Sequence, residues 1–481
     1  MRRISIDTLG LMLPKGAAFS PAKRRRGPWW TSRPRLLVTF LFFGALYLWI
    51  RFGGKTVVIP EDSYAYLKDP SLTDILNSTL GFQKILVLNL PHRTDRRDAM
   101  TLAAATSNMK LEFVDGVKGE QIAQSAYPPP GENIKLPSGI RGSWRTHMNA
   151  LQRVVEQNLT TALIFEDDVD WDIRIRQNLQ RFALASRFLS ENKDVLSASS
   201  KYKLENRPNP ETAETGFHIL SANDITDDLP TLPLSSVVQQ SLRYQSESNS
   251  ESGAKSPYGD PAEWDILWIG HCGVGFPRYS SDHKKTEVTT SNVILTLPND
   301  DTVPMGKYLK AHPFQGTTDP LSTAYPPHTR VYHRSSGGEL CTVGYAVSQR
   351  GARRLLHQFG IKAWNGIFDS EMGRWCASED QKPSVSNLAK DPITGSPQNP
   401  LIKFQGGKWN VKSRERVCLA SQPPIFAHHH PMEGESDIGG LGGGYATKYE
   451  TKYLRLSVRM NLERIVQGIK KLVDQWPDEK D

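Results

Sequence analysis

Short apolar runs that alternate with helical patterns are the feature that most constrains the fold of this chain. Residues 84–90, 111–114 and 161–165 form apolar runs that are typical of buried parallel strands. Between them, residues 93–108 and 143–157 show the pattern of helices, and the second repeats apolar residues every three or four positions. The alternation predicts an α/β fold in which helices cover a sheet.

The chain has 481 residues, which is more than one hydrophobic core usually organises. Much of the excess lies in residues 190–261, which are rich in Ser, Asn, Glu and Pro and which we interpret as a disordered insertion, since such a composition buries little apolar surface. Strand patterns at 264–269 and 342–347 then resume the core. We therefore predict one domain, residues 81–440, with long loop insertions, followed by an amphipathic helix within residues 441–481.

The net charge of +8 is carried by the first 35 residues, which hold nine basic residues and one acidic residue. Because the remainder is formally neutral and shows no nucleic-acid-binding motif, we predict no nucleic-acid partner. Residues 36–50 contain no charge and would rise about 22 Å as a helix. A buried core helix, a cleaved signal peptide and a signal anchor are the alternatives, and the lack of a polar stripe or a cleavage site favours the anchor.

This topology predicts a single-pass type II membrane protein. The basic residues precede the apolar run, so residues 1–35 are expected in the cytosol and the body in the lumen, behind a stem at residues 51–80. A short span suits the membranes of the endoplasmic reticulum or Golgi.

Two further features fit a lumenal location. Acceptor sequons for N-glycosylation begin at Asn77 and Asn158. The chain has four cysteines, for which an oxidising lumen permits three full pairings, while buried free thiols are the alternative. These are Cys272, Cys341, Cys376 and Cys418.

Three consecutive carboxylates, Glu166, Asp167 and Asp168, directly follow the apolar run at 161–165. The carboxyl end of a strand opens into the crevice where α/β proteins bind ligands. Carboxylates at positions i and i+2 can point to one side of an extended chain, and a shared Mg²⁺ or Mn²⁺ relieves their repulsion and bridges a diphosphate. The alternative is a solvated acidic turn that caps the next helix. We predict a divalent-cation site.

Two motifs resemble glycosyltransferase family 25, which includes bacterial lipopolysaccharide galactosyltransferases and animal procollagen galactosyltransferases. The run LVLNLPHRTDRR, from Leu86 to Arg97, is similar to the opening strand and signature of the family, and ALIFEDDV, from Ala162 to Val169, is similar to its acidic strand end. Later segments in the same order are similar to further blocks of the family: 264–270, 344–356, 368–369, 423–426 and 436–438.

The resemblance implies a GT-A-like fold, a single Rossmann-type domain that binds a nucleotide sugar. It further implies a UDP-sugar donor, usually UDP-galactose, a glycan or glycoprotein acceptor, and inversion at the anomeric carbon. Residues Asn89, Arg93 and Arg96 would line the nucleotide site. The segment from Gly142 to His147 keeps the Gly and the His of a further motif of the family.

Candidate roles follow for individual residues. Asp369 is the candidate base for the acceptor hydroxyl, with a helix-start carboxylate as the alternative. Imidazole is a common donor to such cations, so His428 is expected to complete the metal shell, with a solvated His-rich turn as the alternative. The metal ligands are then Glu166, Asp168 and His428. The residues expected to bind the nucleotide sugar are Asn89, Arg93, Arg96, His147, Glu166 and Asp167.

Three functions remain in competition. The first is a metal-dependent inverting hexosyltransferase that uses a UDP-sugar, and the family resemblance implies a galactosyltransferase. The second is a non-catalytic, membrane-tethered glycan-binding or scaffold protein with the same fold. The third is a metal-dependent hydrolase, which would need further ligands at the strand ends.

Overall fold

The computed structural model describes residues 67–129, 136–190, 231–247, 256–274, 290–309, 320–335, 337–364, 366–378, 415–430, 437–438 and 450–478. The chain divides into two compact units, Met1–Ser63 and Tyr64–Asp481, and every described residue lies in the second.

Strands and helices alternate along this unit, as the sequence predicts. The strands are β1 (Lys84–Asn89), β2 (Leu111–Asp115), β3 (Thr161–Glu166), β4 (Val169–Trp171), β5 (Thr231–Pro233), β6 (Ile266–Gly270), β7 (Ile294–Leu297), β8 (Arg330–Arg334), β9 (Gly344–Ser348), β10 (Cys418–Gln422), β11 (Phe426–His430) and β12 (Glu450–Thr451). The α-helices are α1 (Thr94–Thr106), α2 (Ser138–Glu156), α3 (Ile175–Ser190), α4 (Leu234–Glu247), α5 (Pro320–Ala324), α6 (Gln349–His357), α7 (Phe368–Cys376) and α8 (Leu462–Val466).

One mixed sheet organises the unit, in the order β2-β1-β3-β9-β6-β10-β8-β7-β5. Strands β2, β1 and β3 are parallel, whereas β9 is antiparallel to both of its neighbours, β3 and β6. Strand β11 leaves the main path and pairs with β4, β6 and β12. The carboxyl ends of β1 and β3 therefore lie side by side, and β11 comes to the same edge through β4.

Helices cover both faces of the sheet because alternate side chains of the central strands point to opposite sides. Leu163 and Phe165 of β3 belong to the core that includes residues of α1, α3 and α4, whereas Ala162 and Ile164 belong to the core that includes residues of α2, α6 and α7. Every one of these four side chains is fully buried. Burial on both faces explains why β3 is an uninterrupted apolar run in the sequence.

The prediction of a transmembrane helix is corrected by the structure. Across the described ranges, no helix combines the length and apolar composition that crossing a membrane requires. The longest, α2, has 19 residues but includes Arg141, Arg145, Arg153 and Glu156. That part of the predicted fold class is wrong for the fold described here, and the predicted tail and anchor, residues 1–35 and 36–50, lie outside the described residues.

Two other segments differ from the sequence predictions. Within the proposed disordered insertion, β5 pairs with β7, and α4 buries Leu234 and Val237 against the core. In the C-terminal segment, the expected amphipathic helix is reduced to α8, because the chain folds back on itself. Arg455 pairs with Asp474 at 2.6 Å, and the Asn461 side chain bonds the backbone of Val473.

All four cysteines are paired, as Cys272–Cys341 and Cys376–Cys418. This selects one of the three full pairings and excludes the alternative of free thiols. The second bridge ties α7 to β10. The first joins the segments that follow β6 and precede β9, next to the acidic end of β3.

Candidate active site

The acidic cluster lies where β3 ends. Glu166 is the last residue of β3, and Asp167 and Asp168 form the turn into β4. Strand β4 runs antiparallel to β11, with Val169 opposite His428, and the His429 N–H donates to the Asp168 carbonyl at 2.9 Å. This pairing brings a histidine from far along the chain to the acidic turn.

Glu166, Asp168 and His428 form a candidate metal centre. Their potential ligand atoms lie within 4.8 Å of one another. The His428 Nε2 is 3.6 Å from a Glu166 oxygen and 3.5 Å from Asp168 Oδ1. Asp168 Oδ1 is buried and has no hydrogen-bond partner in the described part of the chain. Since a buried acceptor normally has a partner, this oxygen fits a cation ligand.

The electrostatics of the centre favour charged groups. Burial alone would raise the pKa of Glu166, but hydrogen bonds from His147 and His428 more than offset it, and the pKa lies well below its ordinary value. Burial likewise opposes ionisation of Asp168, yet the charges of His428 and Arg96 lower its pKa. For His428, burial lowers the pKa, but Asp168 and Glu166 raise it above its usual value.

Asp167 binds two residues of the opening motif. Its carboxylate accepts hydrogen bonds from Asn89 Nδ2 at 2.8 Å and from Arg96 at 2.7 Å. Arg96 also donates to Asp168 at 3.0 Å. Helix α1 begins just after β1 ends, which directs Arg96 toward the acidic strand end. Burial and the neighbouring Asp168 raise the pKa of Asp167 despite the charge of Arg96.

A cavity of about 610 Å³ opens beside these side chains. Six residues predicted to bind the donor or the metal line it: Asn89, Arg96, His147, Glu166, Asp167 and Asp168. Arg93, His428 and Asp369 are absent from its lining. Arg93 instead pairs with Asp95 at 2.8 Å and with Asp437, which is itself a lining residue.

Helix α2 supplies a second wall of the cavity through Gly142, Thr146 and His147. A Cβ atom on Gly142 would lie 2.3 Å from the Val117 carbonyl oxygen, so only glycine permits this close approach. Thr146 Oγ1 accepts from the Val117 N–H at 2.9 Å. These contacts explain why the Gly and the hydroxyl residue occur together in the motif that ends at His147.

A chain of hydrogen bonds runs from Tyr345 through His147 and Thr342 to Glu166. The Tyr345 hydroxyl lies 2.9 Å from His147 Nδ1, and His147 Nε2 lies 3.3 Å from Thr342 Oγ1. Thr342 Oγ1 in turn donates to Glu166 at 2.6 Å. Burial and the charge of Glu166 raise the pKa of Tyr345 well above its usual value, so the phenol keeps its proton beside His147.

The sequence interpretation missed Thr342 and Tyr345. Both belong to the apolar segment that was predicted as a core strand, and polar residues in such a segment are a signal for a buried hydrogen-bonded role. Arg459, also missed, donates to the Asp167 carbonyl at 2.7 Å.

Asp369 lies in the first turn of α7, next to Phe368, whose ring stacks on His147 with ring centroids 4.6 Å apart. Its carboxylate accepts from the backbone N–H groups of Cys341, at 2.7 Å, and Ser370. Burial raises the pKa of Asp369 and these hydrogen bonds oppose the rise. The helix-start alternative and the catalytic role both remain compatible with this position.

Replacing Tyr345 by phenylalanine is expected to weaken Mn²⁺ binding by about 10-fold, because groups that orient a metal ligand typically contribute 10- to 100-fold to affinity. Calorimetric titration of the full chain with Mn²⁺ measures this. Tyr258→Phe is the matched control, since Tyr258 is equally buried and its hydroxyl donates to Leu80 at 2.6 Å. Both variants should lose about 1 kcal/mol of stability. Equal Mn²⁺ affinities in the two variants would contradict the support role of Tyr345.

Comparison with known protein families supports the resemblance seen in the motifs. Residues 82–224 match the family model described as glycosyltransferase family 25 (LPS biosynthesis protein). This segment is therefore similar to glycosyltransferase family 25. It contains β1 to β4, Asn89, Arg96, His147 and the three carboxylates, so the family 25 segment holds most of the candidate site. The recognition made from the sequence is confirmed.

Curated relatives agree with this assignment over a limited length. Procollagen galactosyltransferase 1-A of Xenopus laevis is 28% identical over 112 residues, 21% of this chain and 18% of the relative. Procollagen galactosyltransferase 2 of Mus musculus is 26% identical over 113 residues, 21% and 18% of the two chains. Inactive glycosyltransferase 25 family member 3 of Homo sapiens is 30% identical over 115 residues, 22% and 19%. The match spans about a fifth of each relative.

Proposed function

We propose that this protein is a metal-dependent inverting glycosyltransferase that moves a hexose, most simply galactose, from a UDP-sugar to a glycan or glycoprotein. The observation that carries the proposal is the convergence of Glu166, Asp168 and His428 beside a cavity lined by the family 25 motifs. The names of the procollagen galactosyltransferases support the choice of sugar.

The charges of the cluster explain the need for a cation. Arg96 pairs with Asp167 and Asp168, whereas Glu166 lies near His147 and His428, and Asp168 keeps one oxygen without a hydrogen bond in the described region. Mn²⁺ or Mg²⁺ held by Glu166, Asp168 and His428 would neutralise the excess charge and, when bound, stabilise negative charge on the departing UDP.

The residues of the chain itself have separate tasks in this proposal. Asn89 and Arg96 fix Asp167 and so hold the acidic turn in one conformation. Arg96, on the wall of the cavity, adds positive charge toward a diphosphate, and preorganised charge of this kind lowers the barrier because it needs no rearrangement during the reaction. His147 and Thr342 hold Glu166.

Inversion requires a carboxylate to take the proton of the acceptor hydroxyl as the new bond forms. We assign this task to Asp369 because of the family resemblance at Phe368 and Asp369 and because burial and the charge of Glu166 raise its pKa, although the Asp369 side chain does not line the cavity. Two disulfides further support an oxidising compartment, such as the secretory pathway, as the place of the reaction.

The proposal is tested by incubating the full chain with UDP-galactose, UDP-glucose and other UDP-sugars and measuring released UDP. Release is expected with Mn²⁺ and a preferred sugar, and it should stop when the ion is chelated and return when Mn²⁺ is restored. Release that is unchanged by chelation would contradict the metal centre.

The same experiment distinguishes the transferase from the main alternative. Some matched relatives carry the word inactive in their names, which favours a binding protein without turnover as the second candidate. Calorimetric binding of UDP without release from any sugar, with glycan acceptors present, would support that second function. Absence of both binding and release would reject the transferase and the nucleotide site together.

A further inference from the structure

The imidazole of His428 has a different set of donor atoms at each ring nitrogen. Nε2 faces the oxygens of Glu166 and Asp168 at 3.6 and 3.5 Å. Nδ1 lies 3.5 Å from the Cys272 sulfur, and this sulfur, that of Cys341 and the His428 ring form a second group whose atoms all lie within 4.8 Å. One histidine therefore joins a hard, oxygen-rich set of donors to a soft, sulfur-rich set.

The chain holds the two cysteines together independently of their disulfide. The Cys272 N–H donates to the Leu340 carbonyl at 2.8 Å, and the Leu340 N–H donates to Gly273 at 3.1 Å, which forms an isolated antiparallel bridge. The backbone of Cys341 is fixed on both sides, since its N–H bonds Asp369 at 2.7 Å and its carbonyl accepts from the Trp268 indole at 3.0 Å. Reduction would therefore leave two thiols beside each other and beside His428.

We propose that reduction of Cys272–Cys341 creates a second metal site, in which the two thiolates and His428 Nδ1 bind a soft divalent cation such as Zn²⁺. Zinc bonds of about 2.3 Å to sulfur and 2.0–2.1 Å to nitrogen at a tetrahedral angle place those two atoms about 3.5 Å apart. The separation between Cys272 Sγ and His428 Nδ1 is 3.5 Å already. Two thiolates and one imidazole are a common protein ligand set for zinc with a fourth position open.

A phosphine can serve as the reductant of the Cys272–Cys341 disulfide. A phosphine breaks the S–S bond by supplying two electrons, takes an oxygen atom from water as it becomes a phosphine oxide, and leaves two thiols. Cation binding then releases the two thiol protons. The half-buried side of Cys341 gives the reductant access, whereas both cysteines of the second bridge are buried.

The site has a consequence that rests on the proposed function. A cation on the sulfurs uses His428, so it takes one donor from the carboxylate centre and should weaken Mn²⁺ binding there. The disulfide thus keeps the histidine available to the catalytic cation, and reducing conditions with zinc would inhibit the transferase.

The test uses the full chain, freed of metal, with Co²⁺ as a spectroscopic substitute for Zn²⁺. After phosphine treatment we expect one cobalt per chain with a thiolate charge-transfer absorption, and no such absorption before treatment. The Cys376→Ser/Cys418→Ser variant is the matched control and should keep the signal, while Cys272→Ser/Cys341→Ser should lose it. No signal in the reduced wild type, or an equal signal in Cys272→Ser/Cys341→Ser, would overturn the proposal.

Three further variants keep the test decisive if a cysteine variant does not fold. His428→Ala should lower the cobalt affinity of the reduced chain at least 10-fold, whereas His429→Ala, whose ring bonds Thr451, should leave it unchanged. Glu166→Gln/Asp168→Asn removes the carboxylate centre and should keep the thiolate signal. A transferase without Mn²⁺ dependence would thus reject the proposed function and leave the sulfur site standing. An unchanged affinity in His428→Ala would reject the sulfur site alone.

Discussion

Replacing Asp168 by asparagine is expected to lower Mn²⁺-dependent UDP release by about 100-fold or more, since loss of one preorganised group that stabilises developing charge typically costs 10²- to 10³-fold in rate. Asparagine has nearly the same shape and can still accept from Arg96, so the change removes the charge that faces the cation and little else. Release rates at saturating UDP-sugar, together with a Mn²⁺ titration, measure the effect.

The matched control for this prediction is Asp115→Asn. Asp115 ends β2, which is parallel to β3 and lies two strands from it in the sheet; its side chain is exposed, and its ion pair with Arg97 is long, at 3.9 Å. The same loss of charge two strands away should leave UDP release within about 2-fold of wild type, because an exposed pair contributes little. Similar losses in both variants would mean that general negative charge at this sheet edge, and not the cluster at β3, supports the reaction.

Replacing Asp300 by asparagine is expected to lower the free energy of unfolding by about 3–5 kcal/mol, the usual cost of breaking a buried ion pair on one side. Asp300 is fully buried and bonds Arg181 at 3.0 Å and Arg330 at 2.7 Å, and both guanidinium groups are buried as well. The substitution leaves two buried positive charges without their carboxylate. Urea denaturation followed by circular dichroism measures the change.

The adjacent residue offers a control with the same chemistry in a different environment. Asp301 pairs with Arg174 at 2.8 Å, but its side chain is 35% exposed. Asp301→Asn should therefore cost less than about 1 kcal/mol. Equal losses for the two variants would show that the position along the chain, and not burial of the charge, determines the effect.

The stabilisation by Asp300 should also depend on pH in a defined direction. Burial opposes ionisation, but Arg330 and Arg181 more than offset it and hold the pKa of Asp300 well below its ordinary value. A folded pKa below the unfolded value of about 3.9 gives stability that is complete above that pH and is lost as the pH falls through the folded pKa. The difference between wild type and Asp300→Asn should therefore be constant from pH 5 to 7 and shrink in acid.

The order of the early strands and the acidic cluster could be predicted from the sequence because each has a local physical cause. A strand buried on both faces requires consecutive apolar residues, and β3 is such a run with its carboxylates at one end. The sheet order could not be predicted. Strand β9 inserts antiparallel between β3 and β6, and such pairing depends on contacts between distant residues that apolar runs do not specify.

Helix α4 and the contacts of Tyr345 and Thr342 were not predicted from the sequence for different reasons. In α4, Leu234, Val237 and Val238 have the spacing of a buried helical face, but the polar composition of the surrounding residues outweighed this short signal. The hydrogen bonds of Tyr345 to His147 and of Thr342 to Glu166 join distant parts of the chain, so no spacing within one segment reveals them.

The pairing of β4 with β11 limits how this chain can be divided into separate parts. The segment that matches the family model ends at residue 224, yet His428 and the hydrogen-bond donors to the Asp170 carboxylate, Thr451, Ser457 and Arg459, lie far beyond it. A gene fusion or splice form that kept only the matched segment would retain the recognisable motifs while losing the proposed metal donor His428 and the hydrogen bonds that hold β4. The matched segment therefore cannot act as an independent unit. It must be inherited together with the C-terminal residues that pair with β4 and bond Asp170.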